Sequence, residues 1–294
     1  MNTRDLFVAL LVCVTAQFAR AELVITLPSA PKTISTYQYY YNELVILALE
    51  KTRTELGDYR IEMLPLWSWD HQRVLAAAVS DSYPNIVVGV SYEDKLTDSG
   101  SLTYIDFPID GGIVGQRVCF VNPAIKEQLK KLSSLSEFSK YKFAHGLGWA
   151  DTTILRHNGL NVVEVRDMES IYKMVSVGRL DFYCKGANQL LTEYEEFRKS
   201  MNLIYDESFV LVYPLPRFFY LNINSKLAKG RIEEGLKIAY KDGSFKALWL
   251  KFYKESVVFS QLGKRKVFHL DNPLVKNLSR NYEQYFIDPQ HDLD

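Results

Sequence analysis

The sequence predicts an α/β protein of two lobes, each a β-sheet flanked by helices, joined by two extended crossings. Three observations support this fold. Short β-rich runs alternate with amphipathic helical stretches in residues 23–90, the same rhythm recurs in residues 142–198, and segments rich in Gly or Pro flank the second unit. A β-α-β-α-β order is typical of parallel strands with crossover helices. The 294 residues suffice for two lobes with cores of their own.

The first unit contains three predicted strands and two predicted helices. A strand at Leu23–Leu27 precedes a helix at Tyr39–Leu56, in which leucines and isoleucine recur at helical spacing. Tyr59–Leu64 alternates as a strand does, and Asp70–Val79 has a helical pattern that starts with an N-capping Asp. Asn85–Val90 is a continuous apolar run, which is typical of a buried parallel strand.

The second unit repeats the order with different residues. Its predicted strands are Lys142–His145, Asn161–Val165 and Leu180–Cys184, and its predicted helices are Ala150–His157, Met168–Val177 and Gly186–Arg198. After it, two further helices are predicted at Lys226–Lys241 and Ser244–Lys254, with Gly243 between them as the residue that ends the first. The tail from Val267 is expected to pack along the first lobe.

The two crossings divide the chain. Phe107–Gly115 leads into a strand at Gln116–Val121, and Pro214–Pro216 leads into a strand at Arg217–Ile223. The chain therefore leaves the first lobe and later returns to it. We expect residues 22–110 and 215–294 to form lobe 1 and residues 111–214 to form lobe 2. Paired extended segments of this kind can act as a hinge.

Composition and the first residues restrict the class of protein. There are 35 Lys+Arg and 35 Asp+Glu, so no overall positive field favours nucleic acid or an anionic membrane.

Residues 1–21 carry a charged start, an apolar run and a small-x-small end, which predicts a signal peptide cleaved before Glu22. No later run is apolar for about 18 residues, so we expect a mature protein exported to the periplasm and not inserted in the membrane.

The sequence offers little support for catalysis, a metal or a cofactor. The five histidines show neither an HExxH pattern nor a paired ligand spacing, and no Gly-x-Ser-x-Gly elbow or Cys-x-x-Cys motif is present. We therefore expect a protein without a cofactor or a metal that is not an enzyme. Glu93 and Asp151 keep a lyase or hydrolase open as the alternative, because a few enzymes use cleft carboxylates on this kind of two-lobed fold.

Several segments resemble one family over nearly the whole mature chain. They are the crossing Ile109–Gly115, the segment Leu147–Leu155 (LGWADTTIL), the segment Met174–Phe182 (MVSVGRLDF) and the segment Gly235–Phe245 (GLKIAYKDGSF). In this order and spacing they are similar to those of periplasmic type II solute-binding proteins of family 3, whose best-known members bind polar amino acids. The resemblance implies a type II periplasmic-binding-protein clamshell that closes on a small molecule and serves an ABC permease or a membrane sensor. We expect a monomer.

Two positions depart from the family pattern. The amino-acid binders of the family carry an Arg for the ligand carboxylate five residues before Asp106, where this chain has Ser101. They carry an Asp for the ligand amine five residues after Asp181, where this chain has Gly186. A zwitterion bound without these partners would keep desolvated, unpaired charges. The expected ligand is thus a small polar molecule, acidic or able to stack on aromatic rings, and not a standard amino acid.

In such a fold the ligand contacts come from loops at the carboxyl ends of the strands. The candidates from the first lobe are Tyr37, Tyr39, Tyr40, Trp67, Trp69, Arg73, Ser91, Tyr92 and Glu93, and those from the second are Trp149, Asp151, Tyr183, Lys185 and Asn188. Arg73 and Lys185 are the foremost candidates for an acidic group. The other interpretation makes the rings core residues, Asp151 a helix N-cap and Lys185 a solvated loop lysine.

The mature chain retains two cysteines, Cys119 and Cys184. The resemblance places them on neighbouring strands, so a cross-strand disulfide is geometrically possible. Two small buried thiols are the other possibility. An oxidising periplasm permits either state.

The departures at Ser101 and Gly186 generate a first prediction. Isothermal titration of the purified protein with each standard amino acid should show no tight binding, because a free carboxylate and ammonium would lack their usual partners. Submicromolar binding of any of them would contradict this prediction.

Overall fold

The computed structural model describes residues 22–29, 36–65 and 71–293. The predicted signal peptide and the capping Asp70 lie outside these ranges. The strands are β1 (Leu23–Pro28), β2 (Tyr59–Leu64), β3 (Val88–Ser91), β4 (Leu102–Tyr104), β5 (Gln116–Val121), β6 (Lys142–Gly146), β7 (Asn161–Val165), β8 (Phe182–Gly186), β9 (Ile204–Tyr205), β10 (Phe209–Val212), β11 (Arg217–Asn222) and β12 (Lys266–His269). The helices are α1 (Thr36–Lys51), α2 (Arg53–Leu56), α3 (His71–Val79), α4 (Lys95–Asp98), α5 (Lys126–Leu129), α6 (Ala150–His157), α7 (Met168–Ser176), α8 (Leu190–Met201), α9 (Lys226–Lys241) and α10 (Ser244–Ser260). Within the described ranges no helix is long and apolar enough to cross a membrane.

The first lobe contains β1 to β4 together with a strand from late in the chain. β1 pairs in parallel with β2, and β11 lies between β3 and β4, antiparallel to both. A parallel bridge from Thr26 to Ile86 links the two groups of strands. The spatial order is thus β2-β1-β3-β11-β4, in which β11, which begins at Arg217, lies between two strands from the first part of the chain.

The second lobe is built on a seven-stranded sheet. Its order is β12-β10-β5-β8-β6-β7, with β9 paired to β5. The predicted parallel strands β6, β7 and β8 are present, and β5 runs antiparallel to β8. β12 pairs in parallel with β10 and so belongs to this sheet, although the division of the chain made from sequence places it with the first lobe.

The two crossings lie side by side and are hydrogen-bonded to each other. The Tyr213 N–H donates to the Gly115 carbonyl over 3.1 Å, and the Ile109 N–H donates to the Arg217 carbonyl over 3.0 Å. A Cβ at residue 115 would overlap the Tyr213 carbonyl oxygen, so only glycine permits this approach. The crossings therefore form one short antiparallel connection between the lobes.

Helix α10 contacts both lobes. The Trp249 indole donates to the Asp110 carbonyl over 2.9 Å, on the first crossing. One turn beyond Tyr253, the Ser256 hydroxyl donates to the Ala187 carbonyl over 2.7 Å and accepts from the Leu191 N–H. The helix predicted to end at Lys254 continues to Ser260, because its last turns pack against the second lobe.

The other differences from the sequence-based elements have local causes. The long first helix stops at Lys51, and α2 follows as a separate turn. Between them the Thr52 hydroxyl bonds the Leu49 carbonyl and accepts from Arg231 of α9, which fixes the break. The later part of the tail packs on the first lobe, with Tyr282 in its core, whereas its first residues, from Val267 to His269, lie in β12 of the second-lobe sheet, contrary to the expectation.

Cys119 and Cys184 face each other directly across the β5–β8 pair and form a disulfide. Sequence had left the bridge and the free thiols as alternatives. The bond lies two residues beyond Arg117 on β5 and one residue before Lys185 on β8, so it fixes the strands that carry these two cations.

The disulfide gives a stability prediction. Cys119→Ala/Cys184→Ala, which keeps the buried positions apolar, should lower the free energy of unfolding by about 2–4 kcal/mol, because the bridge closes a loop between residues 65 apart in sequence. Urea unfolding followed by circular dichroism measures it. The wild type should lose the same stability on addition of a reductant while the double variant does not respond. A wild type that is insensitive to reductant throughout its unfolding transition would contradict the prediction.

Candidate ligand-binding cleft

The carboxyl ends of β6 and β8 open toward the crossings and toward α3 of the first lobe. The loop that follows β6 turns at Gly148, whose φ is +74°. A Cβ on Gly148 would lie 2.9 Å from Nε2 of Gln72, so this loop and α3 are in close contact. The two lobes therefore meet across the strand ends, and this junction is the candidate ligand-binding cleft.

Arg117 and Asp151 form a buried ion pair on the second-lobe side of this cleft. The guanidinium Nη2 bonds the carboxylate Oδ1. The Tyr213 hydroxyl accepts from Arg117 Nε over 3.0 Å and donates to the same carboxylate oxygen over 2.6 Å. Tyr213 lies on the second crossing, so the pair ties β5, α6 and the hinge together.

The state of charge of this pair follows from its surroundings. Burial is the largest single effect and alone would raise the pKa of Asp151, but the opposing effects, led by the Arg117 charge and including the hydrogen bonds from Tyr213 and Arg117, together hold the pKa below its usual value. Asp151 is therefore ionised at neutral pH and balances Arg117. A buried ion pair of this kind holds together the segments that carry it, because separating Arg117 from Asp151 would leave a charge buried without its counter-charge.

Lys185 belongs to a second buried pair. Its Nζ lies 3.0 Å from Glu193 Oε1, and both side chains are 8% exposed. The other oxygen of Glu193 accepts from the Tyr172 hydroxyl. The rings of Trp149 and Tyr183 lie 5.1 Å and 5.4 Å from the Lys185 Nζ. The Lys185 charge is thus neutralised within the lobe and covered by aromatic rings.

Three buried polar side chains near these pairs have no hydrogen-bond partner within the described part of the chain. They are His145, Thr152 and Asn188, and they supply five of the seven unpartnered buried polar atoms. All three are at most 4% exposed. Burial lowers the pKa of His145 to about 4, against the opposing effect of Asp151, so its ring is neutral at pH 7. Unpartnered buried polar atoms cost about 1–3 kcal/mol each, so these three side chains are candidates for ligand contacts.

The first-lobe side of the crossings is organised by Asp110. Its carboxylate accepts hydrogen bonds from Tyr41 over 2.9 Å and Tyr253 over 3.1 Å. Arg217 Nε lies 4.0 Å from it, and Arg217 Nη1 donates to the Tyr41 hydroxyl. Burial raises the pKa of Asp110, and Arg217 opposes that rise. Asp110 therefore anchors α1, α10 and β11 to the first crossing.

The first-lobe candidates that the structure describes lie at separate places. Tyr40 is fully buried and donates to the Ile109 carbonyl over 2.6 Å, so it supports the crossing. Tyr92 is a core residue whose ring packs on Tyr104 and Phe218. These two placements correct the prediction of ligand contacts, because aromatic rings that follow a strand end also fill the core.

The remaining first-lobe candidates have individual placements. Glu93 pairs with Lys95 over 2.8 Å, Tyr39 is 46% exposed on α1, and Arg73 is exposed on α3. Ser91 lies at the end of β3, where its hydroxyl accepts from Arg217 Nε over 3.4 Å. Trp67 and Trp69 lie outside the described residues, as does the side chain of Tyr37.

The candidate residues predicted in the second lobe do converge. Trp149, Asp151, Tyr183, Lys185 and Asn188 all lie around the carboxyl ends of β6 and β8. Two roles differ from those expected. Asp151 is not the N-cap of α6, which begins after Trp149, because the carboxylate binds Arg117 instead. Lys185 is neither a solvated lysine nor unpaired, because Glu193 neutralises it.

Sequence reasoning missed Arg117, Asp110, His145 and Glu193. Asp110 lies in the Gly-rich crossing and Arg117 lies next to it. A charged residue at a predicted hinge is the signal that could have indicated both. His145 is the last but one residue of a buried strand, where a polar side chain is unusual. Glu193 gave no signal, because it resembles the other acidic residues of α8.

Comparisons with known proteins bear on the fold. No protein-family model matches the chain, and no curated protein sequence matches it. The GluR0 ligand-binding core from Nostoc punctiforme in complex with L-glutamate is similar in structure, with a TM-score of 0.55 at 15% identity over 79% of this chain and 99% of that chain. This chain has the type II solute-binding fold.

Two further structures with the type II fold match in the same way. An amino acid ABC transporter substrate-binding protein from Streptococcus pneumoniae bound to L-arginine has a TM-score of 0.54 at 15% identity, covering 79% of this chain and 93% of that chain. The ancestral amino acid-binding protein AncCDT-1, a precursor of cyclohexadienyl dehydratase, has a TM-score of 0.55 at 14% identity, covering 79% and 96%. The fold class predicted from the sequence is confirmed.

The Arg117–Asp151 pair generates a third prediction. Arg117→Ala should lower the free energy of unfolding by about 3–5 kcal/mol, because Asp151 would remain buried without its counter-charge. The double variant Arg117→Met/Asp151→Leu removes both charges at similar volume and should recover most of that loss. Urea unfolding of the two variants and the wild type measures both effects. Equal destabilisation in the single and the double variant would show that the pairing of charge is not what matters.

Proposed function

We propose that this protein captures a small polar solute reversibly in the cleft between its lobes. The observation that carries the proposal is the group of unpartnered polar atoms on His145, Thr152 and Asn188. These atoms lie at the carboxyl ends of strands, where ligands bind in open α/β sheets, and beside the hinge of a type II fold. A ligand that bonds them would offset the cost of their burial.

The proposal includes a location and a partner. We propose that the signal-like residues 1–21 direct the mature chain to the periplasm, and that the protein acts there as a monomer. A membrane partner, either an ABC-type permease or a sensory receptor, would recognise the closed shape. Closure can report the ligand only if the ligand binds the closed form more tightly than the open form. Contacts from both lobes at one site, as between Gln72 and the Gly148 loop, provide such a difference.

We further propose that the ligand is not a standard amino acid. Two of the structures matched above are bound to L-glutamate and to L-arginine. In this chain a Cβ at Gly186, where the family pattern has its amine-binding Asp, would overlap the amide oxygen of Asn188. The arrangement around Asn188 thus takes the place of an acidic contact. Lys185 does not favour an acidic ligand, because its ammonium group is already paired with the Glu193 carboxylate.

A lyase or hydrolase on the same fold is the alternative from another class. It would use Glu93 and Asp151 as cleft carboxylates. In the structure Glu93 pairs with Lys95 and Asp151 with Arg117, so neither is placed as a general acid or base. Analysis of the bound fraction for chemical conversion separates the two functions, because a binding protein returns its ligand unchanged.

Closure on a ligand can be tested without knowing the ligand. Wild-type protein that has been unfolded, dialysed and refolded should become smaller by small-angle X-ray scattering when yeast extract below about 1 kDa is added. Gln72→Trp puts a large ring against the Gly148 loop and should weaken apparent binding about tenfold, which is about 1.4 kcal/mol. Titration of the extract against the change in melting temperature measures this.

The matched control is Gln128→Trp, an exposed position on α5 at the other end of the second-lobe sheet. It should respond to the extract as the wild type does. An unchanged scattering profile and melting temperature in the wild type would overturn the solute-binding proposal. An equal response in the two variants would overturn the assignment of the site to this cleft.

A further inference from the structure

We infer that the second-lobe half of the cleft recognises an uncharged head group that carries both hydrogen-bond donors and acceptors, such as a carboxamide, a ureide or a polyol. This inference rests on the proposed solute-binding function and names the ligand class of the same site. It concerns the group formed by His145, Thr152 and Asn188 around the Arg117–Asp151 pair, which we call the polar cluster.

The members of the polar cluster are close to one another. Asn188 Oδ1 and Arg117 Nη1 both flank Gly186, with Arg117 Nη1 3.6 Å from the position of a Cβ there. Arg117 binds Asp151, which precedes Thr152 on α6. The ring of His145 lies 5.8 Å from that of Tyr183 and 6.2 Å from that of Trp149, between β8 and the Gly148 loop. This grouping around the Arg117–Asp151 pair is the basis for inferring that one small molecule contacts more than one of them.

The charges around the polar cluster are already balanced. Arg117 is matched by Asp151, and Lys185 is matched by Glu193. A ligand carboxylate would have to compete with Asp151 or Glu193 for its cation, and a ligand ammonium would have to compete with Arg117 or Lys185 for its anion. A charged ligand group that displaces neither partner would lose its hydration without gaining a counter-charge, and this carries a large free-energy cost.

The unpartnered atoms of the polar cluster belong to uncharged groups, and they include both hydrogen-bond donors and hydrogen-bond acceptors. The Asn188 amide offers two N–H donors and a carbonyl acceptor, and the Thr152 hydroxyl donates and accepts. The His145 imidazole, when neutral, has one donor and one acceptor nitrogen. An amide, a ureide or a pair of neighbouring hydroxyls complements such a set, because each presents a donor beside an acceptor. A carboxylate lacks the donors, and an ammonium lacks the acceptors.

The test separates ligands by charge. Low-molecular-mass yeast extract is passed over a cation exchanger in its acid form, which retains amines and zwitterionic amino acids, and then over an anion exchanger in its hydroxide form, which retains acids. The flow-through and the two eluates, each readjusted to pH 7, are added separately to refolded wild-type protein. The flow-through of uncharged molecules should raise the melting temperature by several degrees, and the eluates should not.

Three variants connect the result to the polar cluster. Asn188→Ala and Asn188→Asp should each reduce the apparent affinity for the flow-through at least tenfold. Asn161→Ala, an exposed asparagine at the opposite end of β7, should leave it unchanged. A response to an eluate but not to the flow-through, or a full response by Asn188→Ala, would overturn the inference while leaving solute binding intact. A wild type that responds to neither the fractions nor the whole extract would instead overturn the proposed function, and the inference with it.

Discussion

Neutralisation of buried charge is the constraint on which the centre of this protein depends. The lobes meet where Asp110, Arg117, Asp151 and Arg217 are all largely withdrawn from water. Each of these charged side chains needs a counter-charge inside the fold, because burying an unpaired ion costs several kcal/mol. The partners come from segments distant in sequence, so that satisfying the charges also fixes the positions of those segments.

This constraint explains how the crossings are held. Asp110 takes hydrogen bonds from α1 and α10 and lies beside Arg217 of β11, so three elements converge on the first crossing. Tyr213 of the second crossing joins the Arg117–Asp151 pair. Because Tyr213 also bonds Gly115 through its backbone, the charge pairs and the hinge form one unit. Beside these neutralised pairs, the polar cluster has no hydrogen-bond partners within the described residues, which is why the ligand is expected to be uncharged.

The fold could be predicted from the sequence to a large extent. Hydrophobic periodicity gave both β-α-β-α-β units, and Gly and Pro marked the two crossings. The placement of β12 could not be predicted, because its pairing with β10 joins residues more than 50 positions apart and its sequence suits either sheet. The end of α10 was set by contacts with the second lobe, which no local pattern contains.

The candidate site could be predicted only in part. Strand-end positions predicted Trp149, Lys185 and Asn188 as site residues, and the structure brings them together around the ends of β6 and β8. Their roles depend on partners that the chain brings from elsewhere, such as Glu193 for Lys185, and a sequence pattern does not report such pairs. For Tyr40 and Tyr92 the ring alone does not distinguish a cleft wall from a core, since tyrosine suits both.

The most direct test is a crystal structure of the protein purified from its native source with whatever ligand accompanies it. The account predicts an uncharged molecule between the lobes, within hydrogen-bond distance of His145 and Asn188, with the Arg117–Asp151 and Lys185–Glu193 pairs intact. A ligand whose carboxylate or ammonium displaces a member of either pair would contradict it, as would a molecule bound elsewhere on the surface with the polar cluster untouched.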